Sequence, residues 1–216
     1  MTDSLWDVPL AELRARTASA SPTPGGGSVA AVTAALGCSL VLMALEITAR
    51  RGEDPAIGDA LAVGRALLDR LGAAADRDVE LFEGYLRARR LPRSTDDERA
   101  TRQVAVAAAS TAATEGPLTA AADVVEALGW ALAVLPVVAR AVVSDVHAGA
   151  DLLLGSALAA LRGAEANVAL MGDDPAAYAF AARLTAARRA AVAAHDRVDR
   201  WRPEATGTTS TPEGSR

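Results

Sequence analysis

Between Val29 and Ala49 the chain holds one charged residue, Glu46, in a run that is otherwise apolar or small. A helix over this run is apolar on nearly every side, so it has to be surrounded by other helices rather than laid on a surface. The run is long enough to raise the question of a membrane span, but it contains Glu46, Ser39, Gly37 and two threonines, and alanine is its commonest residue. It therefore reads as a buried core helix, and no membrane partner is expected.

Immediately before it stands Ser21-Pro22-Thr23-Pro24-Gly25-Gly26-Gly27-Ser28. The prolines keep Ser21 and Thr23 extended, the three glycines permit positive φ and close approach of a ligand, and Ser28 is a natural N-cap. This pattern predicts a bare helix N-terminus whose unsatisfied amides favour anionic or carbonyl oxygens. Thr23, Pro24, Gly25, Gly26, Gly27 and Ser28 are accordingly candidate substrate contacts.

Composition narrows the fold class. Hydrophobic residues make up 51% of the 216, yet aromatics only 3%, and alanine dominates. Alanine is the best helix former and lets helix axes approach closely, whereas strands would require β-branched and aromatic runs. The expected fold is all-α: a single-domain bundle of six to seven helices over residues 1–202, followed by a disordered tail over 203–216 with no apolar period. A helix buried on all sides in so small a chain is most simply covered by a second copy, so a homodimer is expected.

The net charge is −5, and every basic residue is arginine. An acidic chain without a basic stripe argues against nucleic acid as a partner. The absence of lysine excludes a Schiff-base lysine or a lysine phosphate clamp. The single cysteine, Cys38, rules out an intrachain disulfide, and two distant histidines with scattered acids lack metal-ligand spacing. With no export signal in the acidic first residues, a cytoplasmic enzyme without metal is expected.

Helix punctuation is frequent. A short helix is expected from Asp7 to Leu13, a second from about Ser28 to Arg51, and a third from Pro55 to about Arg89, long enough to suggest a kink. Thr95 and Glu98 have capping-box spacing, which starts a fourth helix ending near Thr114. Gly116-Pro117 is expected to break it and begin a fifth that ends near Pro136. A sixth is expected from about Val143 to Leu170, and a seventh from Pro175 to about Trp201.

Several segments recur in a known order: the Pro/Gly turn, Asp76-Arg77-Asp78 through Phe82, Arg90-Leu91-Pro92-Arg93 with an acidic capping segment leading to Arg102, Pro117, Ser144-Asp145 with Gly149, and Asn167-Val168. This set resembles the cyclodeaminase/cyclohydrolase family, the folate-processing helical domain of formiminotransferase-cyclodeaminase and of the stand-alone methenyltetrahydrofolate cyclohydrolase. The resemblance spans about Leu10 to Trp201. It implies a dimeric all-α enzyme acting at the one-carbon bridge between N5 and N10 of tetrahydrofolate, with no cofactor beyond that reduced folate. A cyclohydrolase adds water to the methenyl cation, and a cyclodeaminase closes a formimino group onto N10 and expels ammonia. Both pass through a tetrahedral carbon and need proton transfer.

The same resemblance marks Asp78 as the acid/base group and Asp145, after Ser144, as a second catalytic carboxylate in the pocket. Capping of a helix start is the alternative role for Ser144 and Asp145. His147 is a residue type that can shuttle protons, though the family often carries a small residue there. At Glu46 relatives usually carry asparagine; a carboxylate there either stabilises a cationic substrate or pairs with an arginine across a dimer. Arg93 and Arg102 suit the glutamate carboxylates of a folate or a solvated helix start. Asn167 suits the pterin amide or a backbone group. Glu46 and His147 keep open a different nitrogenous substrate on the same fold, and a non-catalytic ligand-binding dimer is the remaining alternative.

Overall fold

The computed structural model describes residues 4–52, 54–172 and 174–203; all but Pro203 of the expected tail lies outside them. Six α-helices account for most of these residues: α1 (Leu10–Thr17), α2 (Gly26–Ala49), α3 (Pro55–Arg89), α4 (Asp96–Val134), α5 (Val143–Ala169) and α6 (Pro175–Asp199). Short 3-10 turns precede α1 and α5, and no strand occurs among the described residues. Helices α2 to α5 form an up-down-up-down square, α2 beside α3 and α5, α4 diagonally opposite, while α6 packs on the outer side of α4 and α5.

The helix starts follow local chemistry. Asp54 and Asp174 each accept a hydrogen bond from the amide two residues on, at 2.9 Å, with proline in the first helical position. The Thr95/Glu98 capping box forms with both of its reciprocal bonds. Helix axes then approach where side chains are smallest. Gly37 of α2 lies against Gly149 of α5, where a Cβ on either would stand 2.8 or 2.6 Å from the other's carbonyl oxygen. This contact fixes the register of the two helices.

The expected break at Gly116-Pro117 does not occur: α4 runs through both residues. Pro117 cannot donate to the carbonyl of Ala113 four residues back. Asn167 of α5 takes over, its Nδ2 donating to that oxygen at 3.0 Å. With the orphaned acceptor satisfied, the helix has no reason to stop. Thus the fourth and fifth expected helices are one, and the described residues form six.

Asn167→Ala is expected to leave the Ala113 oxygen unpaired and to cost about 1–3 kcal/mol. Adding Pro117→Ala restores an intrahelical donor and should recover most of that loss. Thermal unfolding of both variants followed by circular dichroism checks it; equal stability of Asn167→Ala and wild type would overturn the assignment.

Three stretches, Gly26–Ala49, Asp96–Val134 and Arg140–Ala169, are long and apolar enough to cross a membrane by length and composition. In this fold the apolar sides of α2, α4 and α5 face one another. Val41, Ala44 and Leu45 of α2, Ala121, Leu128 and Ala131 of α4, and Val146, Leu153 and Leu161 of α5 share one core.

Candidate active site

The glycine turn leads into α2 with Gly25 as N-cap in extended conformation and no side-chain cap. Two sequence expectations are corrected here. Ser28 is not the cap, because the helix starts two residues earlier, and none of the three glycines takes positive φ. Their smallness matters instead. A Cβ on Gly27 would stand 2.1 Å from Oδ1 of Asp78 and 2.6 Å from its Cγ, so the carboxylate lies directly on the first turn of α2. Freed from capping, the fully buried Ser28 donates its hydroxyl to Oδ2 of Asp78 at 2.6 Å. A carboxylate at a helix N-terminus is also favoured by the dipole.

Asp76, two residues earlier, has a different task. It accepts hydrogen bonds from the Ser4 hydroxyl at 2.7 Å and the Leu5 amide at 2.8 Å, tying the N-terminal turn to α3. Residues two apart on a helix face differently, and here one aspartate holds the chain while the other faces a cleft.

That cleft lies inside the square at the N-terminal end of α2. Its polar residues are Asp78, Arg77 and Ser156, and its walls are mainly alanine and leucine, with Gly27, Gly116 and Pro117. Small side chains leave a narrow slot with apolar faces and a free volume of about 30 Å³, on the order of one water, so a flat ring system enters only where the walls part. Arg77 and Ser156 are lining residues that sequence reasoning missed. Arg77 adjoins Asp78 in sequence, which is a signal. Ser156 lies in an alanine-rich helix and gives none; its hydroxyl donates to the Leu153 carbonyl at 2.7 Å.

Asp145, Ser144 and His147 are not brought to this cleft within one chain. They sit in the first two turns of α5, Asp145 and His147 half-buried and Ser144 exposed. Ser156 is eleven residues further on, about 16 Å along the axis. The alternative capping role is not realised either, since the N-cap of α5 is Val142 and no side chain caps it. Glu46 is half-exposed rather than buried and pairs with Arg65 of its own chain at 2.6 Å, not across a dimer. Asn167 spends its amide nitrogen on Ala113 rather than on a ligand. Thr23 and Pro24 precede the helix start, joined by a cis peptide bond, and Ser21 donates to the Thr23 carbonyl at 2.8 Å. Gly25 and Gly26 lead into Gly27 but do not line the cleft.

Arg93 and Arg102 meet in a second cavity of about 510 Å³, with Arg99, Gln103, Ser110 and Thr111. Arg99 is engaged by Asp96 and by the carbonyls of Arg93 and Ser94. Arg102 gives its Nε to the Arg89 carbonyl at 3.2 Å. Arg93 is exposed and forms no ion pair among the described residues. Ser110 of this cavity and Pro117 of the cleft are seven residues apart on α4, about 10 Å along its axis.

Bundle and carboxylate-bearing cleft together define a helical enzyme domain of the cyclodeaminase/cyclohydrolase class. The chain matches the formiminotransferase-cyclodeaminase family over residues 9–194, and it belongs to that family. It is 34% identical over 155 residues to a methenyltetrahydrofolate cyclohydrolase of Methylorubrum extorquens, covering 70% of this chain and 73% of that protein. It is 37% identical over 108 residues to a formimidoyltransferase-cyclodeaminase of Gallus gallus, covering 48% of this chain but only 20% of that protein. The crystal structure of a formiminotetrahydrofolate cyclodeaminase from Thermotoga maritima shares the fold, with a TM-score of 0.76 at 20% identity over 90% of this chain and 95% of the other.

Proposed function

We propose that this chain hydrolyses the methenyl bridge between N5 and N10 of tetrahydrofolate. The observation that carries the reading is the Asp78 carboxylate, seated on the glycine start of α2 and held by Ser28 in a slot with apolar walls. In this reading Asp78 takes a proton from the water that attacks the bridging carbon. It then returns that proton to N5 as the N5–carbon bond breaks, and the carbinol hydroxyl gives up its own proton to solvent as the C=O forms, leaving the formyl group on N10. A carboxylate beside the bridge also stabilises its positive charge. Hydrolysis is put first because the cyclohydrolase relative matches at 34% identity along most of its own length. Ring closure with loss of ammonia is the second reading, on the same carboxylate.

With the bridge at Asp78, a p-aminobenzoyl arm reaches along α4 to the arginine cavity, where Arg93 and Arg102 receive the glutamate carboxylates. Arg93→Ala is expected to raise KM about tenfold with kcat unchanged, as loss of a charge-assisted contact made equally in ground and transition states does. A tetrahydropteroate analogue lacking glutamate should not distinguish the variant from wild type.

The enzyme works as a homodimer in the cytoplasm, where Cys38 stays a thiol, and it needs no cofactor beyond its reduced folate. Purified chain given the methenyl and the formimino substrates separately, with and without chelator, tests the proposal. Chelator-insensitive loss of the methenyl chromophore well above the buffer rate is expected. Turnover of neither substrate, with no reduced folate bound by calorimetry, would overturn it.

A further inference from the structure

The slot beside Asp78 has room for about one water, so the attacking water fits there and the ring system of a reduced folate does not. A larger cavity adjoins it. Along the exposed side of the α3–α4 contact runs a groove of about 350 Å³, a size at which small molecules bind, lined by charged side chains of both helices. Ala74, Arg77, Gly116 and Ala120 line slot and groove alike, so the wall between the two is a glycine, two alanines and one arginine.

Most polar groups of the groove are already engaged. Arg70 donates to Asp123 at 2.9 Å and pairs with Glu126. Asp76 holds Ser4 and Leu5, and the Thr119 hydroxyl donates to the Glu115 carbonyl at 3.1 Å. Two charges are left. Arg77 and Glu80 are exposed and three residues apart on α3, a spacing at which they could pair, yet neither forms an ion pair or a side-chain hydrogen bond among the described residues. A strong donor and a strong acceptor therefore stand open side by side.

At about 100° per residue, Asp78, Arg77 and Glu80 succeed one another around the axis of α3. Asp78 lines only the slot, Arg77 lines slot and groove, and Glu80 lines only the groove. A pterin presents matching groups in the same order. Beside the bridged N5 stands the O4 carbonyl, an acceptor, and beyond it N3–H and the 2-amino group form two parallel donors. A guanidinium only donates and a carboxylate only accepts, taking up two parallel N–H groups with its two oxygens.

We propose that the α3–α4 groove holds the pterin ring, Arg77 donating to O4 and Glu80 accepting from N3–H and the 2-amino group, while the wall of small residues parts to bring the bridge to Asp78. This rests on the folate reading and fixes which way round the substrate lies. Guanine carries the same amino-oxo edge but has no bridged nitrogen to present to the slot.

Calorimetry with 6-methyltetrahydropterin, which has the ring and no arm, tests the subsite apart from the chemistry. Wild type should bind it, and Glu80→Gln and Arg77→Gln should each weaken binding about tenfold or more, the effect of losing a hydrogen bond to a charged group. Both side chains are exposed and unpaired, so both variants should keep the native circular dichroism spectrum. A change in the ligand separates contact from indirect effect. The 2-desamino analogue should bind wild type as weakly as the parent compound binds Glu80→Gln. Glu80→Gln should not distinguish the two compounds, whereas Arg77→Gln should still prefer the parent. A Glu80→Gln chain with full preference for the 2-amino compound, unchanged binding in both variants, or no binding by wild type at millimolar concentration would overturn the subsite. So would guanosine bound as tightly as the tetrahydropterin, which would give the groove to a nucleoside. The two readings fail separately: tetrahydropterin binding that needs Glu80, with neither folate turned over, sinks the hydrolysis alone. Folate turnover with a KM indifferent to Glu80→Gln and Arg77→Gln sinks this subsite alone.

Discussion

Asp78→Asn is expected to lower kcat for methenyl hydrolysis by about 10²–10⁴-fold, the range that a positioned acid/base group contributes. Asparagine has the same shape, and its carbonyl oxygen can still accept the Ser28 hydroxyl, which donates to the carboxylate at 2.6 Å in the native chain. Folding should therefore survive, and KM should move only a few-fold, because the apolar walls and the arginine cavity are untouched. Asp76→Asn is the matched contrast. Its carboxylate accepts from Ser4 and Leu5 and so supports the N-terminal turn. That variant should lose stability rather than kcat. Steady-state kinetics and thermal midpoints on both variants separate the roles, and an Asp78→Asn enzyme as fast as wild type would remove the assigned acid.

Much of this site was legible before any coordinates, and the parts that were not share one physical cause. Asp54-Pro55, Thr95 with Glu98, and Asp174-Pro175 announce helix starts because capping is local, decided within four residues. The motif set singled out Asp78 as a candidate, and the structure sets its carboxylate on the glycine turn. Pro117 misled because its missing donor is compensated from 50 residues away by Asn167, and nothing near Pro117 in sequence reports that partner. Ser28 misled in the same way. It has every property of a cap, but the helix starts at Gly26 and its hydroxyl is taken by a residue on another helix. Asp145 was expected beside Asp78, yet the Gly37–Gly149 contact sets the register of α2 against α5 and leaves it more than ten residues from the cleft-lining part of α5. Local chemistry is written in neighbouring residues, while register between helices is decided where two backbones touch.

Gly27→Ala follows from such a contact and should have the second-largest effect. Alanine is the better helix former, so by propensity alone the change would stabilise α2 by up to about 1 kcal/mol. The added methyl cannot be accommodated where Asp78 now lies, since its carbon would stand 2.1 Å from Oδ1, 2.6 Å from Cγ and 2.9 Å from Oδ2. The carboxylate has to swing off the helix start, and its bond to Ser28 breaks or lengthens. Displacement of a reacting group by about 1 Å costs about 100-fold in rate, so kcat/KM should fall by that order. Gly26→Ala is the control, because a Cβ there meets nothing within 4 Å, and its activity should match wild type. The two sites touch, so their effects should not add: in the Asp78→Asn background Gly27→Ala should cost almost nothing further. Full additivity in that double-mutant cycle, or a Gly27→Ala enzyme with native kcat/KM, would mean that the chemistry does not pass through the carboxylate resting on this turn.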